Sequence, residues 1–193
     1  KTVEDYYITR HEEEYRDSNF EPSYYDVSRF SDSNTVTVEY QEHAGTGYCD
    51  RFSVTDYGVG IGSSRLEGYL ELGFSTKRNT AENFGAFGLG AKVPLSTGVD
   101  FYTVETAHNG KLFKMNCFAY KTDFLIGKFQ ADGHITFSDG TEVYYVNTDE
   151  PNFTKISFGV KRHNRTKYVD AVQDQLNYID NVVLKYIYED GHE

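Results

Sequence analysis

From Thr35 onward, apolar and polar positions alternate along much of the chain. "TVTVEY" (35–40) and "RFSVTD" (51–56) change face at each step, as half-buried strands do, and the loop "EHAGTG" makes them an antiparallel hairpin. "VDFYTVETA" (99–107) and "KLFKMNCFAY" (111–120) flank His108-Asn109-Gly110, and Asn-Gly is a strong hairpin signal. "HITF" and "TEVYYV" flank Asp139-Gly140, which predicts a second hairpin of the same type, and "TKISFGVK" (154–161) adds a further strand. Two stretches switch to a helical period. Leu66, Tyr69 and Leu70 predict a short helix within 64–72. Val169, Val172, Leu176, Ile179, Val183 and Ile187 recur every three or four residues and predict an amphipathic helix over 164–190, ending near Gly191. Residues 1–33 are weakly patterned, and Pro22 limits any helix around Glu12-Glu13-Glu14. The plan is α+β: several antiparallel strands, a few helices, and a sheet covered on one face.

Composition narrows the class. The chain has 193 residues, the size of one domain, and its 38% hydrophobic and 25% charged content suits a globular fold. No stretch reaches the ~18 consecutive apolar residues of a membrane span, and no signal peptide is visible. The first residue is Lys1 rather than Met, so a fragment of a longer protein is expected. Cys49 and Cys117 fit no zinc or redox spacing and read as free thiols in a reducing, cytoplasmic compartment. The six histidines show no metal spacing either.

Charge is uneven. The net value is −11, which argues against direct nucleic-acid binding by this domain. Residues 1–50 hold 12 Asp/Glu against 4 Lys/Arg, whereas 57–98 hold 4 Lys/Arg against 3 Asp/Glu. An anionic ligand is least repelled in the second stretch, which contains both glycine clusters.

The first cluster is "DYGVGIG", where Gly58 and Gly60 permit positive φ and a close main-chain approach. Asp56, at the end of a strand, can accept a hydrogen bond from an exocyclic amine such as adenine's, or can form an Asx-type turn. The second cluster is "GAFGLGAK". Gly85, Gly88 and Gly90 precede Lys92 and Pro94, and Pro94 suits the first turn of a helix. Bare amides at a helix start, with a lysine beside them, suit phosphate; a surface loop is the other reading. Neither cluster is GxxxxGK[ST] or a dinucleotide fingerprint.

In order, "DYGVGI", "LGFSTKRNTAENFGAFGLGAK", the strand pair around "HNGK", and "TKISFGV" before a closing helix resemble the GHKL ATPase superfamily (gyrase B, the ninety-kilodalton heat-shock chaperones, histidine kinases, MutL). The likeness spans roughly Thr35 to Ile187 and is nearest to the branch with the T-even phage rapid-lysis protein IIA, a phage-like origin. It implies a Bergerat-type two-layer sandwich: an acidic arm (1–33), a sheet core with a lid (34–163) and a C-terminal helix (164–190). It also implies ATP and Mg²⁺ as ligands. Asp56 would read the adenine amino group over Gly58 and Gly60, with Thr154 behind it through water. Ser75, Thr76 and Lys77 would precede the lid, and Gly85, Gly88, Gly90 and Lys92 would cradle the phosphates.

The family's catalytic helix carries a glutamate base and, four residues on, an asparagine for Mg²⁺. Here Glu13 and Asp17 have that spacing with aspartate in the second place, within an acidic run that also reads as a solvated face. Three functions stay open: an ATP-dependent switch with slow hydrolysis, paired with a second copy or a following domain; a degenerate nucleotide sensor; and a β-rich carbohydrate-binding module, suggested by 17 Tyr and 14 Phe without Trp.

Overall fold

A computed structural model describes residues 35–43, 49–69, 93–176 and 182–189. Among the described residues, nine strands form one mixed sheet. They are β1 (Val36–Gln41), β2 (Cys49–Asp56), β3 (Phe101–His108), β4 (Lys111–Phe118), β5 (Thr122–Phe124), β6 (Gly133–Thr136), β7 (Glu142–Asn147), β8 (Phe153–Lys161) and β9 (Val182–Ile187). The order is β6-β7-β4-β3-β8-β2-β1-β9, with β5 also paired to β4. Every pairing is antiparallel except β1 with β9. The described helices are few: α1 (Ser63–Leu66), α2 (Val93–Ser96) and α3 (Arg165–Leu176). This mixed sheet with few helices agrees with the α+β expectation.

Period-two alternation sorts the side chains. Tyr102, Val104, Phe113, Met115, Cys117 and Val143 point into a core with Leu66 of α1, and Leu95 of α2 packs against it. Fully burying an apolar side chain of this size contributes about 1.5–3 kcal/mol, so this cluster carries much of the fold. Tyr168 of α3 sets its ring against Phe52 and Phe158, at 5.6 and 6.1 Å between centroids. Residues of the opposite parity pair in a polar layer: Lys114 with Glu105 at 3.0 Å and Thr103 with Asn116 at 2.8 Å. Partly exposed ion pairs of this kind add only about 0–1 kcal/mol each.

The hairpins sharpen the sequence reading. Asn109 and Gly110 both have positive φ (49° and 75°), the two-residue turn that Asn-Gly predicts. The Asp139-Gly140 hairpin is of a different type. Only Gly140 has positive φ, at 87°, and Phe137 N–H bonds to Thr141 C=O across a three-residue loop. Asp139 instead caps the turn by accepting the Thr141 N–H at 2.8 Å. Pro94 does sit in the first turn of a helix, although α2 spans only four residues.

The predicted closing helix is corrected. Helix α3 is described over Arg165–Leu176, and Val182–Ile187 is a strand parallel to β1. Val183 and Ile187 are four apart, a spacing that fits one helical turn and two strand repeats equally. Pairing with β1 decides between them, helped by the β-branched run. Tyr186 stacks on Tyr40 across that pair, with centroids 5.6 Å apart and planes 10° apart. The predicted helix over 64–72 appears as Ser63–Leu66 followed by a turn, with residues 70–72 outside the described set.

Candidate functional site

Three central strands end side by side. The register aligns Asp56 of β2 with Thr154 of β8, and Thr154 with Thr106 of β3. Beyond Asp56 the chain turns at once, because its carboxylate Oδ1 accepts the Gly58 N–H at 3.1 Å. This is the Asx turn that the local residues allow, and it leaves Asp56 exposed at the sheet end.

Gly58 and Gly60 are bare for different reasons. Only Gly60 adopts positive φ (72°). A Cβ there would lie 2.1 Å from the Ala107 carbonyl oxygen, so the vacant side of Gly60 is taken up by β3. At Gly58, a Cβ would sit 2.9 Å from the Asp56 carboxylate.

The last three residues of β3 fasten this loop. Thr106 Oγ1 accepts the Ile61 N–H at 2.8 Å. Ala107 forms the wall against Gly60. His108 Nδ1 lies 2.7 Å from the Val59 carbonyl oxygen, which can only accept, so the ring proton is on Nδ1. Behind the hairpin, fully buried Asn152 accepts the Asn109 N–H at 2.9 Å. Thr106 and His108 were not singled out from the sequence. For Thr106 a signal exists: it shares the parity of Tyr102 and Val104, so it is a hydroxyl on a buried face.

Burial raises the Tyr69 hydroxyl pKa well above its ordinary value, with nearby Cys117 and, further down, the Asp56 charge adding to the shift. Tyr69 therefore stays a neutral phenol beside this end of the sheet. A cleft of about 480 Å³ lies elsewhere, lined in part by Arg51, Phe101, Gly159, Lys161 and His163 at the opposite ends of β2, β3 and β8. It includes none of the predicted site residues.

Asp56, Gly58, Gly60 and Thr154 are thus brought together. Glu13, Asp17, Ser75, Thr76, Lys77, Gly85, Gly88, Gly90 and Lys92 lie outside the described residues. Among the described residues, the acid and imidazole groups close enough to share a cation are Glu42, His43 and Glu189. They sit at the Asp50 end of the sheet, and Glu42 is already bonded to Arg165 at 2.6 Å. They do not serve Asp56.

A family model for the histidine kinase-, DNA gyrase B- and HSP90-like ATPases matches residues 24–126, more than half of the chain. The chain belongs to this ATPase family. The match contains Asp56 and both glycine clusters, begins downstream of Glu13 and Asp17, and ends before Thr154. No curated protein matches the chain. No described helix is long and apolar enough to cross a membrane, and neither described cysteine is in a disulfide, with Cys117 buried in the core.

Proposed function

We propose that this is an ATP-binding domain that works as a nucleotide-dependent conformational switch with slow hydrolysis. The observation that carries it is the Asp56–Thr154–Thr106 row, held at the mouth of three central strands in a chain of this ATPase family. Asp56 accepts a hydrogen bond from the adenine amino group, and Thr154 supports the base from β8. The two-layer sandwich is the architecture this requires, with the nucleotide between the sheet's helices and the 73–92 lid. Within the family, the rapid-lysis IIA branch is the placement that the motif order supports.

The described residues fit the base: an exposed carboxylate at the sheet end beside a hydroxyl, fixed by main-chain hydrogen bonds. Phosphate contacts fall to Ser75, Thr76, Lys77, Gly85, Gly88, Gly90 and Lys92, with Glu13 as the general base and Asp17 on Mg²⁺. Bound Mg²⁺ would neutralise phosphate charge. Ordering of the 73–92 lid by the phosphates would signal to a second copy or a following domain. A domain that binds ATP without turnover, unaffected by Glu13→Ala, would be the sensor form of the same site. The family membership favours both nucleotide readings over a carbohydrate module.

Calorimetric titration of ATP, with and without Mg²⁺, tests the proposal on the wild type and Asp56→Asn. A hydrogen bond to a charged group is worth about 1.5–3 kcal/mol, so the variant should bind about tenfold to a hundredfold more weakly. Equal heats from both proteins, or none from the wild type, would overturn it.

A further inference from the structure

Thr106 is completely buried, and its one oxygen makes three contacts. It accepts the Ile61 N–H at 2.8 Å, donates to the Phe153 carbonyl at 2.8 Å, and lies 3.3 Å from Thr154 Oγ1. A hydroxyl has one proton and two lone pairs. Since the proton goes to Phe153, Thr106 can only accept in its contact with Thr154, so Thr154 must be the donor there. The contact is long, but no other assignment of the protons satisfies all three.

The consequence is directional. With its proton turned into the sheet, Thr154 presents lone pairs to its remaining surroundings. Asp56, the register partner of Thr154, presents a carboxylate that when ionised also only accepts. The same oxygen of Thr106 anchors Ile61, so the glycine loop and the polarity of Thr154 are set by one atom.

We infer that Thr106 is a specificity-determining positioning residue: it makes the Asp56–Thr154 row an acceptor-only edge, which selects a nucleotide whose base presents an amino group and rejects a 6-oxo purine. This rests on the nucleotide reading above. At the 6-position adenine offers a donor to that edge, whereas hypoxanthine offers a carbonyl that would face two acceptors, its N1–H donor lying one ring position away. Thr106 touches no ligand itself. It acts through the orientation of Thr154.

The test compares ATP with ITP by calorimetry on the wild type and on Thr106→Ser, Thr106→Val and Thr154→Val. The wild type should favour ATP by at least about tenfold, because a site built to hydrogen-bond one group rejects the analogue without it. Thr106→Ser keeps the hydroxyl and should keep that ratio. Thr106→Val frees the Thr154 proton to point at the ligand, and the ratio should fall about threefold to tenfold, the worth of one neutral hydrogen bond. Thr154→Val should lower it similarly, and the double variant should lose no more than Thr154→Val alone. An unchanged ratio in Thr106→Val with ATP binding intact overturns this inference alone. If Thr106→Val does not fold, an unchanged ratio in Thr154→Val does the same. No heat from the wild type with either nucleotide overturns the nucleotide reading together with it.

Discussion

Strand β2 carries an aspartate at each end, and the two have opposite fates. Asp50 and Asp56 are six residues apart, so by alternation they share a face. Asp50 is fully buried. It accepts two hydrogen bonds from Arg165 of α3, at 2.8 and 3.1 Å, one from the Tyr40 hydroxyl at 2.8 Å and one from the His43 N–H at 3.0 Å. Arg165 also reaches Glu42, which accepts the Tyr186 hydroxyl, so this knot ties β1, β2, β9 and α3. Burial, then the bond to Glu42, pushes the Tyr186 phenol up to about 12. Asp56 ends the same strand, exposed, in a turn that it caps itself. Identical side chains on one strand therefore serve in one place to fasten the sheet and in the other to cap an exposed turn. Packing makes the difference.

The contrast can be broken most forcefully at the buried end. Removing one partner of a buried ion pair strands the other, at a cost of about 3–5 kcal/mol. Asp50→Ala should therefore lower stability by about 3 kcal/mol, the low end, because the Arg165 side chain is 28% exposed. Chemical denaturation would measure this, and a loss below about 1 kcal/mol would mean the knot is ornamental.

Gly60→Ala comes next. The added methyl meets the Ala107 carbonyl at 2.1 Å in a backbone with φ of 72°, and overpacking of this kind costs about 1–3 kcal/mol. ATP affinity should fall with it, since the loop beside Asp56 must shift. Stability equal to wild type would show that the loop is not pressed against β3.

Acid should act on the buried end in a defined direction. Burial works to raise the Asp50 carboxyl, but Arg165, the His43 amide and Tyr40 outweigh it and hold the pKa below the ordinary 3.8. A depressed carboxylate contributes stability that is fully present above 3.8 and is lost as pH falls below that value through the folded pKa. Denaturation followed from pH 6 to pH 2 should show this loss in the wild type and a flatter profile in Asp50→Asn.

The smallest change in stability should come from Asp56→Asn. The amide oxygen can still accept the Gly58 N–H, so stability should stay within about 0.5 kcal/mol, the range for exposed positions. Nucleotide affinity should nevertheless drop as stated above. A variant that unfolds instead would make Asp56 a second structural aspartate.

Much of this was legible from the pattern of residues. Alternation found strands β1, β2, β3, β4 and β8 within one or two residues, and Asn109-Gly110 marked the hairpin between β3 and β4. Asp56, with glycine two and four residues on, marked the strand end that the structure brings together with Thr154. The Asp139 turn was misassigned because a three-residue loop with glycine in the left-handed position begins with the same Asp-Gly letters. Strand β9 was hidden because a four-residue spacing suits both periods. Asp50 was counted only as charge, because its partner Arg165 lies 115 residues away.

What the sequence determined by itself is local: where the backbone must alternate, where it must turn, and which carboxylate stands next to two glycines. These follow from side-chain periodicity and steric limits on φ, which act over a few residues. Tertiary structure alone decided that Val182–Ile187 extends along β1, that Asp50 is a buried anchor, and that Thr106 saturates its oxygen against Ile61, Phe153 and Thr154. Each of these joins segments far apart in the chain, and the free energy of burial and hydrogen-bond satisfaction exists only once they meet.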